Sequence, residues 1–144
     1  MAGNFEIRQY GNADYDQVIE LWRREFPNAL AHNDPQKVLK EKLENDDNLL
    51  FVADNSAQIG GTVMAGYDGH RGWLYSVVVH PSSRRQGLGR KLVTYAMARL
   101  AALGCCKVNL QIRSESSDVA SFYRRLGFET EDRVSMGTLL IDSR

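Results

Sequence analysis

Val77-Val78-Val79-His80-Pro81-Ser82-Ser83-Arg84-Arg85-Gln86-Gly87-Leu88-Gly89-Arg90-Lys91-Leu92 reads as a buried β-strand, a proline-bounded loop, and two glycines that open a helix. A helix start leaves about four backbone N–H groups without intrahelical acceptors. It also carries roughly half a positive charge from the macrodipole. Gly87 and Gly89 remove side chains that would hold an anion away from those N–H groups. Arg84, Arg85, Arg90 and Lys91 add positive charge at the same place. The physical product is a cradle for a phosphate or pyrophosphate.

Spacing narrows the kind of ligand. No G-x-x-x-x-G-K-[ST] run is present, and Leu92 stands where a dinucleotide fingerprint needs its third glycine. What stands here is Arg84-x-x-Gly87-x-Gly89 after a strand ending in His80-Pro81. Downstream follows Ala120-Ser121-Phe122-Tyr123-Arg124-Arg125-Leu126-Gly127-Phe128-Glu129. The first run resembles the R/Q-x-x-G-x-G/A acetyl-CoA signature of the GNAT superfamily of N-acetyltransferases. The second resembles that superfamily's A-x-x-x-Y-x-x-x-G-F segment, at the usual distance downstream. One motif alone is an ordinary strand–loop–helix junction; the ordered pair is not.

Composition sets limits. A chain of 144 residues is read as one domain, 1–144, large enough for a proper core. Its 43% hydrophobic and 25% charged residues mark a folded rather than a disordered chain. No apolar run approaches the ~20 residues of a membrane span, and residues 1–9 lack a signal-peptide core. A cytoplasmic protein without a membrane partner is expected. Cys105 and Cys106 are adjacent, which suits neither a metal pattern nor a disulfide staple, so two free thiols are expected. Three scattered histidines, His32, His70 and His80, offer no metal site. A formal net charge of zero argues against nucleic acid as a partner; positive charge gathers only at the loop.

Periodicity predicts strands over 5–8, 49–53, 58–66, 73–80, 107–112, 128–130 and 136–141. A first helix follows the capping run Asn12-Ala13-Asp14, with Val18, Leu21, Trp22 and Phe26 on one face and Pro27 as its stop. A second starts at Asn33-Asp34-Pro35. A third carries Leu88, Leu92, Ala96, Leu100 and Leu103 and stops at Gly104; a short fourth follows Ser116 or Ser117 and ends at Gly127. Gly60-Gly61 inside the third strand marks a bulge or a close backbone approach. The order implies an α/β (α+β) fold: a mixed, mostly antiparallel sheet of about seven strands with helices on both faces. It is also the element order of the GNAT fold, so the resemblance covers nearly the whole chain.

The resemblance then implies roles. In GNAT proteins the fourth and fifth strands splay and the pantetheine arm of acetyl-CoA enters the gap, pairing with backbone of the fourth strand. The implied cofactor-binding set is Val77, Val78, Val79, Arg84, Arg85, Gln86, Gly87, Leu88, Gly89, Arg90, Ser116 and Tyr123. Tyr123 matches the family tyrosine beside the sulfur, where a phenol can protonate the departing thiolate. Plain core packing is the other reading of the valines and of Tyr123. No carboxylate stands where many relatives carry a base: Gln111 lies on the fifth strand, Tyr75 and Ser76 on the fourth. Ser116 stands where many relatives have Asn. Asp34, Asp68 and His70 are candidate acceptor-binding residues, although helix capping and turn chemistry also explain Asp34 and Asp68.

The expected function is transfer of an acetyl group from acetyl-CoA to a primary amine by direct attack in a ternary complex, without metal. The acceptor is a small molecule or a protein amine. A non-catalytic acyl-CoA-binding module or sensor uses the same pocket and is the alternative. The oligomeric state, a homodimer included, stays open.

Overall fold

Alternating and continuous apolar runs form a five-stranded sheet in the order β1-β2-β3-β4-β5. The computed structural model describes residues 4–140. The strands are β1 (Glu6–Gln9), β2 (Leu50–Asp54), β3 (Ile59–Tyr67), β4 (Gly72–Val79) and β5 (Val108–Asn109). The helices are α1 (Tyr15–Glu25), α2 (Pro35–Glu44), α3 (Leu88–Ala102) and α4 (Ser117–Arg125). The β1–β2, β2–β3 and β3–β4 pairs are antiparallel, and β4–β5 is parallel. The chain divides into two compact units, Met1–Leu110 and Gln111–Arg144.

In the first unit the sheet carries helices on both faces, as expected. Thr62 and Gly61 are neighbours on β3, so their Cβ directions oppose each other. Thr62 accepts a hydrogen bond from Trp22 of α1. A Cβ on Gly61 would instead lie 2.8 Å from Leu92 of α3. The α1 face buries Val18, Leu21, Trp22, Leu50, Val52, Ile59, Met64 and Val78 with Leu39 of α2. The α3 face buries Phe51, Val63, Ala65, Leu74, Leu92, Val93, Ala96 and Leu100. Phe51 meets Tyr95 of α3 edge-on at 5.1 Å. Full burial of a large aliphatic or aromatic side chain is worth about 1.5–3 kcal/mol, so these two layers supply the main driving force.

Two irregularities shape β3 and β4. Ala53 faces Gly61 while Asp54 faces Ile59, which leaves Gly60 as a bulge residue. A Cβ there would sit 2.4 Å from the Phe5 ring, so the glycine is a packing requirement. On β4, Thr62 faces Val78 but Met64 faces Tyr75, so Ser76 and Val77 together oppose Val63. Ser76 adopts φ +48°, a left-handed conformation that non-glycine residues seldom take. The bulge exchanges faces: Leu74 shares the α3 side with Ala65, whereas Val78 shares the α1 side with Thr62.

The cap of α2 follows the sequence, whereas Asp14, the N-cap of α1, makes no side-chain capping bond to that helix. Asp34 accepts the Lys37 backbone N–H at the start of α2, with Pro35 in its first turn. Residues 12–14 form a 3₁₀ turn ahead of α1 rather than part of that helix. Asp14 is 5% exposed and takes two 2.8 Å bonds from the Arg8 guanidinium, which also reaches Asp54.

The strands expected over 107–112, 128–130 and 136–141 need correction. β5 shrinks to Val108–Asn109. Among the described residues no strand forms after it, and Ile141 lies outside them. Alternation predicts a strand only where one face is buried. Residues 131–140 are exposed throughout, with Val134, Met136 and Leu140 86%, 89% and 93% exposed, so no face there is buried.

Candidate functional site

The β4 edge is the first part of the site. β4 and β5 pair only at Gly72–Val108 and Trp73–Asn109. Beyond Trp73 the strand runs on to Val79 without a β5 partner, so the two strands part after Trp73 and Asn109. Gly72 donates its N–H toward the β5 side, to Lys107 O. His80 donates its N–H toward β3, to Gly60 O. Both residues are even-numbered, so the hydrogen-bonding phase of β4 reverses at the Ser76–Val77 bulge. Alternation from His80 then turns the backbone groups of Val77 and Val79 to the edge that β3 does not cover. Val78, placed with them in the sequence reading, has its backbone toward β3 and its side chain 2% exposed in the core.

The loop is the second part. His80 Nδ1 accepts the Ser82 N–H at 3.0 Å and closes a 3₁₀ turn over Pro81–Ser83. Ser83 is buried beneath it. Arg85 and Gly87 both have positive φ, +64° and +74°. These turns fold the loop back into α3, whose N-cap is Gly87. A glycine N-cap has no side chain to satisfy the first N–H groups of the helix, those of Leu88, Gly89 and Arg90. Nothing lies within 4 Å of where a Gly87 Cβ would point. The Leu88 side chain is 2% exposed and anchors the first turn in the core. Arg85, Gln86 and Arg90 are exposed around it. This is an uncapped helix start ringed by cations, the chemistry of an anion site.

Arg84 takes an arrangement the sequence did not suggest. Its Nε donates to Val79 O at 3.2 Å and its Nη2 to Glu25 Oε2 at 3.3 Å. Arg84 thus ties the open β4 edge to the last residue of α1. Lys91 is likewise engaged, donating to Phe5 O at 3.1 Å.

The second unit carries Ser116 and Tyr123. Ser116 is the N-cap of α4, without a side-chain capping bond. Tyr123 lies on α4, 8% exposed, edge-on to Phe122 at 4.9 Å and to Phe128 at 5.5 Å. Burial pushes its phenol up to about 12. Gln111 donates to Ser135 Oγ.

The remaining candidates have structural employment. Asp68 Oδ1 accepts the N–H groups of His70 and Arg71, each at 2.7 Å. Those bonds, the Arg71 one foremost, lower its carboxyl below the usual aspartate range. Asp34 caps α2. His70 is an exposed turn residue. Tyr75 stands just ahead of the bulge, half-exposed, its phenol raised by burial and then by the charge of Asp68. Among the described residues no three His, Cys, Asp or Glu side chains gather as a metal site, and no helix is long and apolar enough to cross a membrane. Cys105 and Cys106 are free thiols.

Sequence reasoning missed Thr62 and Glu25. Thr62, wholly buried, accepts from Trp22 Nε1 and donates to Ser76 O, both at 2.9 Å. The available signal was a lone hydroxyl inside the otherwise apolar run Gly60-Gly61-Thr62-Val63-Met64-Ala65. Glu25 gave no signal, because its partner is 59 residues away.

Known proteins share the sequence and the fold. The chain is 38% identical over 139 residues to an acetyltransferase of Pectobacterium atrosepticum, covering 96% of this chain and 98% of that one. It is 39% identical over 137 residues to an acetyltransferase of Yersinia enterocolitica, covering 94% and 96%. In fold it resembles the aminoglycoside N-acetyltransferase AAC(6')-Iy, solved in complex with CoA, with a TM-score of 0.79, 20% identity and 98% coverage of both chains. The family model described as the acetyltransferase (GNAT) family matches residues 15–128, a span that holds the bulged β4, the glycine loop, the start of α3 and Tyr123. The chain belongs to the GNAT acetyltransferase family.

Proposed function

We propose that the chain transfers an acetyl group from acetyl-CoA to a primary amine, with both bound at once. The carrying observation is that a strand edge, Val77–Val79, which β5 does not cover leads into an uncapped helix start at Gly87 with exposed arginines beside it. That sequence of groups matches the chemistry of CoA, whose amide-bearing arm leads to a pyrophosphate. The structural relative AAC(6')-Iy, solved with CoA, supports the same cosubstrate. The two units act together as one acetyltransferase domain, a reading supported by a family match that runs across their boundary.

In the reaction the amine nitrogen attacks the thioester carbonyl carbon, and a tetrahedral intermediate forms. The C–S bond then breaks, and the amine nitrogen loses its extra proton to water. Tyr123 donates its phenolic proton to the departing thiolate and recovers one from solvent. A phenol raised to about 12 keeps its proton across the neutral range, which suits a donor. No carboxylate stands at Tyr75 or Ser76 beside the bulge, so the amine binds neutral or loses its first proton through water.

The test is a transfer screen with labelled acetyl-CoA against amine libraries and peptide N-termini. A labelled product amide supports the reading. Tight acetyl-CoA binding with no transfer to any amine would favour the non-catalytic binder.

A further inference from the structure

We infer that Thr62 is a positioning residue for the cosubstrate, acting with Trp22 to set which backbone groups of β4 face the open edge. The inference rests on the acetyl-CoA reading above and names a part of the molecule that reading does not use.

The direction of the chain of bonds is forced. An indole N–H can only donate, so Trp22 Nε1 gives its proton to Thr62 Oγ1 at 2.9 Å. A hydroxyl has one proton, and Thr62 gives it to Ser76 O at 2.9 Å. Trp22 is 1% exposed and Thr62 0% exposed, so water cannot replace either partner. Ser76 is the residue that needs holding. It sits at φ +48° in the bulge, a conformation that persists only when its surroundings impose it.

The bulge is also where the hydrogen-bonding phase of β4 reverses. Gly72 points its N–H at the β5 side and His80 points its own at β3, with Ser76–Val77 between them. Without the reversal, the backbone groups of Val77 and Val79 would turn toward β3 and those of Val78 outward. Thr62 lies on β3 and Trp22 on α1, so two residues off β4 decide what its edge offers the cosubstrate. The anion site at Gly87 is separate, being built from the loop and the start of α3.

This separation supplies the experiment. Two probes are titrated into the full chain by calorimetry: acetyl-CoA, which spans edge and loop, and 3′-phosphoadenosine 5′-diphosphate, which reaches only the loop. Thr62→Val, which orphans Ser76 O, is expected to weaken acetyl-CoA about ten-fold while the nucleotide binds as before. Thr62→Ser restores the hydroxyl and should restore acetyl-CoA binding. The double variant Trp22→Phe/Thr62→Val removes the orphaned indole N–H as well. Its thermal midpoint should rise above that of Thr62→Val while acetyl-CoA stays weak, which a purely structural role would not produce. Trp22→Phe alone removes the donor that holds the Thr62 hydroxyl in place while leaving Ser76 O its own donor, and should show the same contrast in weaker form, whether or not Thr62→Val folds. Equal loss of both probes, or unchanged acetyl-CoA binding, overturns the inference. A wild-type chain that binds neither probe overturns the acetyl-CoA reading with it.

Discussion

Trp22 on α1 and Thr62 on β3 meet through a 2.9 Å hydrogen bond sealed inside the core, and Thr62 passes the connection on to the strained carbonyl of Ser76. A helix on one face of the sheet is thereby joined, through one hydroxyl, to the strand whose other edge stands open. The loop is joined to the same helix by a second route, through Arg84 and Glu25. The end of α1 therefore contacts both halves of the proposed cosubstrate site.

The proposed anion site predicts the effect of a negative side chain. Gly89→Asp puts a carboxylate at the α3 start, where the pyrophosphate is proposed to lie. Like charges forced together cost several kcal/mol, so acetyl-CoA affinity should fall by about 100-fold or more. Calorimetry checks this, with circular dichroism confirming the fold; unchanged binding removes the loop from the site.

Tyr123→Phe should lower the rate of transfer by about 10- to 1000-fold with little change in acetyl-CoA affinity, the pattern of a group used mainly in the transition state. Steady-state kinetics with an acceptor from the amine screen test it. A variant with full kcat would reassign Tyr123 to packing against Phe122 and Phe128.

The raised phenol also fixes a pH dependence. Folded Tyr123 loses its proton at about 12, whereas a tyrosine in the unfolded chain does so near pH ~10. The unfolded state thus releases protons first as the solution turns alkaline, so this contribution to stability is whole below pH ~10 and fades as the pH rises toward ~12. Urea unfolding across that range should show the decline, and Tyr123→Phe should reduce it. Transfer should likewise rise with pH toward the amine pKa without a falling limb near 10.

Asp14 makes the opposite prediction on the acid side. The Arg8 guanidinium, and then the Gly11 N–H, hold its carboxyl below the usual aspartate range, although burial opposes them. The unfolded chain therefore takes up the proton first as pH falls, and stability present above pH ~4 is lost below it. Asp14→Asn leaves Arg8 without its buried partner and should destabilise the chain by about 2–3 kcal/mol at neutral pH. It should also flatten the loss of stability toward acid, as followed by denaturant titration.

Asp68 separates turn chemistry from acceptor binding. Asp68→Asn keeps an oxygen for the His70 and Arg71 N–H groups and should preserve both fold and transfer. Loss of transfer with the fold intact would assign Asp68 to the acceptor after all.

The elements that could be read ahead of the structure share one property: their cause is local. Asp34-Pro35 states a cap within two residues, and the Gly60-Gly61 pair states a bulge within one strand. The uncapped helix start was legible for the same reason, since Gly87, the first turn of α3 and the exposed arginines are neighbours in sequence. What escaped depends on distant partners. Trp22 and Thr62 are 40 residues apart, Arg84 and Glu25 59, and neither pairing leaves a periodic trace. The overcalled strands err in the other direction. Residues 136–140 have strand-like composition, but a strand is made by its neighbour, and the alternation of Val134 and Met136 carries no information about whether one is present.

The two-residue contact between β4 and β5 has a kinetic consequence. Because the ladder already ends at Trp73 and Asn109, an incoming chain of amides finds donors and acceptors that no other strand must first surrender. Association then needs no strand pair to separate and no wait for a rare open state; the one bond to exchange on the edge is the exposed Arg84 Nε–Val79 O contact. Stopped-flow mixing with acetyl-CoA should give a single phase whose rate climbs in proportion to concentration, without the plateau that a preceding unzipping step would impose.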